Sequence, residues 1–209
     1  MHDRDSVIWL VDDDDALRRS LAFTLESAGG KVKLFASPLE FLDHYTPHDA
    51  ECLVLDLQMP KLNGLEVVRR LRDQGYVIPV VMISGHGDIP STVAAMRLGA
   101  VDFLEKPVGR EALIQRVREA VKLSAGQQDK RDAQAAVRSR IDSLSRRERE
   151  LLEHIIAGQS NKQIAYALHI AEKTVANHRA RLMDKMEAGN AADLVRMVME
   201  AGGVNPPAA

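Results

Sequence analysis

At 209 residues, 45% of them hydrophobic and 28% charged, the chain has room for one large or two modest globular domains, and it is neither a disordered polymer nor a small disulfide-stapled scaffold. Its formal net charge of −2 hides a split, with −5 on residues 1–120 and +3 on residues 121–209, so the first half suits a cation or a basic partner and the second suits nucleic acid. No apolar run approaches the ~20 residues of a membrane span, Met1–Asp5 is too acidic for a secretory leader, and the lone Cys52, set among apolar residues, reads as a buried thiol in a reducing cytoplasm.

In chain order, the β-branched runs Val7–Val11, Lys31–Phe35, Cys52–Asp56, Val80–Ser84 and Asp102–Glu105 are expected as strands. Between them, Leu17/Leu21/Leu25, Leu65/Val68/Leu71 and Leu113/Val117/Val121 recur at helical spacing, and Ser37-Pro38-Leu39-Glu40 offers a capping box with proline at the first helical position. Strand–helix alternation predicts an α/β domain over residues 5–121: a doubly wound, five-stranded parallel sheet whose ligand site lies beyond the carboxyl ends of the strands. Residues 122–139 read as a linker able to be helical: the stretch from about Leu123 to Asp142 is polar and alanine-rich, with only Gly126 as a breaker.

Residues 140–204 are expected to form a small all-α domain. Ser145 with Glu148 and Ser160 with Gln163 are capping boxes. Leu151, Leu152, Ile155 and Ile156 supply one apolar face, and Gly158 stops that helix. Ile164/Ala165/Leu168, Val175/His178/Leu182/Met186 and Leu194/Val195/Val198 mark three further helices separated by short turns. The methionines near the end, Met183, Met186, Met197 and Met199, are read as core and dimer-face packing. The tail Gly202-Gly203-Val204-Asn205-Pro206-Pro207 is expected to be disordered.

Asp12 and Asp13 follow the first strand and Asp56 closes the third, so a parallel sheet brings all three carboxylates to one edge. Like charges that close repel and raise one another's pKa unless a cation joins them, and a hard, oxygen-ligated ion such as Mg²⁺ fits. Lys106 after the fifth strand and Ser84 at the end of the fourth add an ammonium and a hydroxyl able to hold phosphoryl oxygens, and a carboxylate can itself accept a phosphoryl group. Singly, each residue has a plainer reading. Asp12–Asp15 suits a helix N-terminus, Asp56 and Ser84 suit turns, and Lys106-Pro107 suits a rigid loop. Complementary chemistry at four strand ends on one edge is what favours a site.

The motifs Val11-Asp12-Asp13, Asp56-Leu57-Gln58-Met59-Pro60, Ser84-Gly85-His86 and Asp102-Phe103-Leu104-Glu105-Lys106-Pro107 resemble the receiver domain of bacterial two-component response regulators. The resemblance implies that Asp56 takes a phosphoryl group from the phosphohistidine of a sensor histidine kinase. It implies that Asp13, Asp56 and the Gln58 main-chain carbonyl bind Mg²⁺ with Asp12 in support, and that Lys106 pairs with the phosphoryl oxygens. Ser84 and Phe103 become the switch, remodelling a face on which partners dock. Gln58 and His86 fall where the family tunes the lifetime of the acyl phosphate.

In the second domain, Asn161 to His178 fits two helices joined by a short turn. The second helix has Lys173, Thr174, Asn177, Arg181 and Lys185 as exposed donors at helical intervals. On periodicity alone a protein-binding hairpin fits equally well. Leu144 to Leu151, Gly158, Ser160 to Ala165, Lys173-Thr174-Val175 and Asn177-His178-Arg179 resemble the LuxR-type DNA-binding domain, and with the receiver motifs the whole resembles the NarL/FixJ subfamily. That resemblance implies a recognition helix over Lys173–Met186 in the major groove. Asn177 and Arg181 would lie nearest base edges, with Thr174, His178, Lys185 and Lys162 toward phosphates. Ala171 stands where the family often has a capping serine. His44 and His169 lack a second ligand at metal spacing and are assigned no role.

The expected protein is a cytoplasmic bacterial regulator that dimerises on phosphorylation and binds promoter DNA. A sensor histidine kinase is its donor, RNA polymerase is a further partner the reading allows, and no membrane is involved. Two rival classes are a Mg²⁺-dependent phosphatase and a protein adaptor. The first lacks the carboxylate that handles the leaving group's proton, because Gln58 stands two residues after Asp56, so the chain is not expected to be an enzyme. The second would show no salt-dependent DNA binding.

Overall fold

A computed structural model of the chain describes residues 6–85 and 89–203, and it divides into two compact units at Gln128/Asp129. In the first unit the elements run β1 (Val7–Val11), α1 (Asp15–Ser27), β2 (Lys31–Phe35), α2 (Pro38–His44), β3 (Glu51–Asp56), α3 (Gly64–Asp73), β4 (Val80–Ser84), α4 (Ile89–Arg97), β5 (Ala100–Glu105) and the start of α5 (Arg110–Asp142). The strands pair in parallel in the order β2-β1-β3-β4-β5. The order therefore reverses direction between β1 and β3, and the register Val11↔Leu55 brings the residues that follow, Asp12 and Asp56, level with each other.

Both faces of the sheet are covered, which is why β1, β3 and β4 are buried along their whole length. Alternate residues supply two cores. Trp9, Val11, Leu53, Leu55 and Met82 pack on one face with Phe41, Val67, Val68 and Leu71. Ile8, Leu10, Val54 and Ile83 pack on the other with Leu21, Leu25, Leu113 and Val117. Cys52 is fully buried, and burial pushes its thiol pKa up.

In the second unit α6 (Arg146–Ile156), α7 (Asn161–Leu168), α8 (Glu172–Met186) and α9 (Ala191–Glu200) enclose Leu151, Leu152, Ile155, Ile164, Val175, Leu182, Met186, Leu194 and Val198. The boxes Ser145/Glu148 and Ser160/Gln163 both form.

The structure departs from expectation in five places. The stretch read as a linker is helical, as that reading allowed, but it belongs to α5 and runs unbroken through Gly126, the expected breaker. Glycine costs about 1 kcal/mol there relative to alanine, and the surrounding Ala, Gln, Lys and Arg residues are strong helix formers that outweigh it. Val137 and Ile141 of α5 belong to the core of the second unit. Ser37 makes no side-chain cap, and α2 starts on Pro38 without one. His178 is exposed and does not line the apolar face with Val175 and Leu182. Gly202 and Gly203 form an ordered turn after α9, at φ of 102° and 75°, with the Gly203 N–H on the Val198 carbonyl at 2.8 Å. The remainder of the predicted tail, residues 204–209, lies outside the described residues, as do Met1–Asp5 and His86.

One buried charge lies at the amino end of the sheet. Glu51, 4% exposed, accepts hydrogen bonds from Trp9 Nε1 at 2.9 Å and Tyr45 Oη at 2.7 Å, and its main-chain N–H donates to Ser124 Oγ at 3.2 Å. Burial raises its pKa, against the lowering effect of those two donors and of His48. The fold thus holds a proton on Glu51 more tightly than the unfolded chain does, and stability rises as pH falls from the folded pKa toward the ordinary carboxylate value. Glu51→Gln removes that dependence. In calorimetric melts taken as pH is lowered toward about 5, the wild-type melting temperature should gain on that of Glu51→Gln, and a gap that stays constant with pH would dismiss the assignment.

Candidate functional site

The carboxyl ends of the strands carry the charged groups. β1 ends where the Asp12 N–H makes a last, long bond to the Phe35 carbonyl at 3.3 Å, and Asp14 then caps α1 through the N–H groups of Ala16 and Leu17. Asp12 and Asp56 are nearly buried, at 1% and 5% exposure, whereas Asp13 is open to solvent. One oxygen from each of the three carboxylates lies within 4.8 Å of the others.

Lys106 Nζ bridges two of them, 3.1 Å from Asp12 Oδ2 and 3.0 Å from Asp56 Oδ2. It reaches them because its own N–H donates to the Ser84 carbonyl at 2.8 Å, continuing the β4–β5 ladder beyond the last strand pair. The other oxygens are held by main-chain donors: Asp12 Oδ1 by the Asp14 N–H at 2.8 Å, and Asp56 Oδ1 by the Gln58 N–H at 3.4 Å.

Burial raises the Asp56 pKa and the Asp12 charge adds to the effect, while the Lys106 hydrogen bond opposes it. Burial alone would lower the Lys106 pKa, but its bonds to Asp56 and Asp12 outweigh that and raise it. The pocket therefore holds three carboxylates against one ammonium. A hard divalent cation with oxygen ligands fits this donor set, and it would relieve the repulsion that burial makes costly.

A depression of ≈ 580 Å³ opens beside Asp13, lined by Gln58, Met59, Pro60, Asn63 and Ser91 among others. Ser84 is fully buried at the end of β4, and Phe103 on β5 is half-buried against the first core. Gly64 is a site residue that sequence reasoning passed over. A Cβ there would lie 2.6 Å from the Asp56 carbonyl and 3.1 Å from Leu57 Cα, so only glycine lets α3 start this close to the acidic strand end. A lone Asn-Gly pair in the sequence gives no signal of that approach. Arg18 was also missed. Its Nη1 donates to the Asp12 carbonyl at 2.7 Å.

In the helical unit, α7 ends at His169, which takes the left-handed conformation at φ 52° and turns the chain into α8. Ala171 caps α8 without a side-chain bond, as its chemistry requires. Lys173, Asn177, His178 and Arg181 on α8 and Lys162 on α7 are exposed, and Thr174 is half-buried. Lys185 differs from them. Its Nζ donates to the Ser143 carbonyl at 2.9 Å and to Glu148 Oε2 at 3.0 Å, so its ammonium ties α8 to the start of α6. The Ser145 N–H, with Lys185, pulls the Glu148 pKa down to about 2. Arg179 adds a bond to Asn161 Oδ1 at 3.0 Å, and Arg140 pairs with Glu187 just past the end of α8.

Two family descriptions match the chain: "Response regulator receiver domain" over residues 8–118 and "Bacterial regulatory proteins, luxR family" over residues 142–198. Among curated proteins it is 46% identical over 195 residues to the transcriptional regulatory protein FixJ of Azorhizobium caulinodans, covering 93% of this chain and 92% of that one. It is 41% identical over 197 residues to the response regulator protein TmoT of Ectopseudomonas mendocina, covering 94% and 90%. Among solved structures, the response regulator StyR aligns at a TM-score of 0.82 with 39% identity, covering 94% of this chain and 99% of that one. Full-length FixJ from B. japonicum aligns at 0.57 with 41% identity, covering 95% and 98%. The doubly wound acidic unit and the capped helix-turn-helix unit are thus the two halves of a response regulator, and the chain belongs to the NarL/FixJ subfamily of transcriptional regulators.

Proposed function

We propose that Asp56 is the phosphoacceptor of this regulator, that Mg²⁺ is held by Asp13, Asp56 and the Gln58 carbonyl with Asp12 in support, and that phosphorylation pairs two chains on promoter DNA in the bacterial cytoplasm. The observation that carries the reading is the cluster of three carboxylate oxygens within 4.8 Å of one another, with Lys106 bridging Asp12 and Asp56. Mg²⁺ supplies charge neutralisation at the phosphoryl oxygens. An Asp56 carboxylate oxygen attacks phosphorus, an O–P bond forms, and the P–N bond of a kinase phosphohistidine breaks. The imidazole nitrogen leaves with the electron pair and takes up a proton from water.

Lys106, already directed at Asp56, pairs with an oxygen of the new group, and Ser84 supplies a hydroxyl to another. The position two residues after Asp56, where a phosphatase of the Asp-x-Asp type carries the carboxylate that handles the leaving group's proton, holds Gln58, which supports reading the chain as an acceptor and not as a phosphatase. Support for pairing comes from α4, where Ile89, Val93 and Met96 are 78%, 42% and 49% exposed at helical spacing, and which packs against β5, the strand of the half-buried Phe103. For DNA, support comes from the exposed donors Lys162, Lys173, Asn177, His178 and Arg181, with RNA polymerase a further candidate partner. Among the described residues no helix is long and apolar enough to cross a membrane.

Incubation with acetyl phosphate and Mg²⁺ should add a single phosphoryl mass to the intact protein, and Asp56→Asn or removal of the metal should abolish the adduct. An adduct that survives Asp56→Asn would place the acceptor elsewhere. Asp56→Asn should also raise the melting temperature of the metal-free protein, since it removes one of two buried like charges, leaving Asp12 to Lys106 alone.

On duplex DNA of unrelated sequence, where binding is electrostatic and the Arg181 guanidinium meets phosphate instead of a matching base edge, Arg181→Ala should weaken binding and reduce the slope of log affinity against log salt by about 0.9, the value for one neutralised phosphate. Lys185→Ala separates two roles. If the ammonium serves the fold, the salt slope stays unchanged while the melting temperature of the helical unit falls. A slope reduced as for Arg181→Ala would return Lys185 to the DNA-contacting set.

A further inference from the structure

The β1–α1 loop carries four consecutive aspartates, and three of them are tied down. Asp12 Oδ1 accepts from the Asp14 N–H and Oδ2 from Lys106. Asp14 Oδ1 caps α1. Asp15 lies between Arg18 and Arg19, at 2.6 and 2.9 Å. Among the described residues, the Asp13 carboxylate alone of the four has no hydrogen-bond partner, so its direction rests on the backbone beneath it.

That backbone is fixed from one side by Arg18. The Arg18 side chain, 11% exposed, donates from Nη1 to the Asp12 main-chain carbonyl at 2.7 Å and from Nη2 to Asp15 Oδ1 at 2.6 Å. The Asp12 carbonyl is half of the planar peptide that leads into Asp13. A rigid guanidinium fork, bonded at once to that peptide and to the first turn of α1, fixes the plane, and with it ψ of Asp12 and φ of Asp13. Those dihedrals aim the Asp13 side chain.

We infer that Arg18 is a positioning residue for divalent-cation binding, holding the Asp12–Asp13 peptide so that the Asp13 carboxylate faces the acidic pocket. The inference rests on the reading of that pocket as the Mg²⁺ site. Two effects of Arg18 on a cation have opposite signs, which makes the role measurable. As a positive charge bonded to the metal-bearing loop it repels Mg²⁺, so deleting the charge alone would tighten binding. As a brace it lowers the cost of ordering Asp13, so deleting the donors loosens binding.

The test is a calorimetric titration of the full chain with Mg²⁺, for wild type, Asp13→Asn, Arg18→Met and Arg18→Lys, each accompanied by a metal-free melt. Asp13→Asn should abolish binding and so certify the pocket as the site being titrated. Arg18→Met should bind about tenfold more weakly, the usual lower bound for loss of a group that orients a metal ligand, without a matching loss of metal-free stability. Arg18→Lys, which keeps the charge but has one donor nitrogen in place of the planar fork, should fall between the two. Binding by Arg18→Met that equals or exceeds wild type overturns the inference and leaves the pocket intact. Should Arg18→Met fail to fold, wild-type affinity in Arg18→Lys overturns it in the same way. Absence of binding in wild type, or binding that survives Asp13→Asn, overturns the reading of the pocket and the inference with it.

Discussion

The first unit is organised by one ammonium held between two buried carboxylates. Asp12 and Asp56 are brought level by the β1–β3 register, and without Lys106 their burial side by side would work against the fold. With Asp13 included, the three carboxylates and one ammonium leave two formal negative charges, the charge that a divalent cation closes. Each part of the geometry depends on the next. The parallel ladder sets the level of Asp12 and Asp56, the extension of the β4–β5 ladder sets Lys106, and Gly64 lets α3 begin in contact with the Asp56 backbone. A one-residue slip of β1 against β3 would break the pairing and also exchange the two core faces.

The helical unit solves a different problem, which is to hold one helix steady while leaving its outward side chains uncommitted. α8 has no side-chain cap at Ala171, a loss of about 1 kcal/mol relative to serine. Glu172 in its first turn offsets part of that through the helix dipole. The remaining restraint is tertiary: Arg179 to Asn161 on α7, Lys185 to Glu148 and Ser143, and Glu187 to Arg140. Charged residues on one helix therefore do two jobs, some locking its orientation and others facing solvent.

That division explains what the sequence could and could not disclose. The acidic cluster was legible because a parallel sheet converts strand ends into neighbours, whatever the details of packing. Asp12, Asp13, Asp56 and Lys106 needed only the strand boundaries, and β3 and β5 differ from the expected bounds only at their starts. Lys185 and Arg181 look alike in sequence, since both lie at helical spacing on α8, and nothing local reveals that a carbonyl and a carboxylate from α6 and the residues before it wait for one of them. Arg18 was illegible for the same reason, because its partner is a main-chain carbonyl six residues earlier and main-chain partners leave no compositional trace. Gly126 misled because a single poor helix former was weighed without the strong ones around it. At Ser37 a correct capping-box pattern met a short helix that starts on proline and leaves the box unused.

Five of the chain's eight aromatic rings, Trp9, Phe35, Phe41, Tyr45 and Tyr76, form one connected cluster, with Lys33 Nζ 4.3 Å above the Trp9 ring. Trp9 is the sole tryptophan of the sequence, and it belongs wholly to the receiver unit, its indole N–H on a buried carboxylate. The chain thus carries its own optical label on one half only. Intrinsic indole emission follows the receiver and is silent for the DNA-binding helices, so comparing it with a helix-sensitive signal such as far-ultraviolet dichroism separates the unfolding of the two units without any added probe.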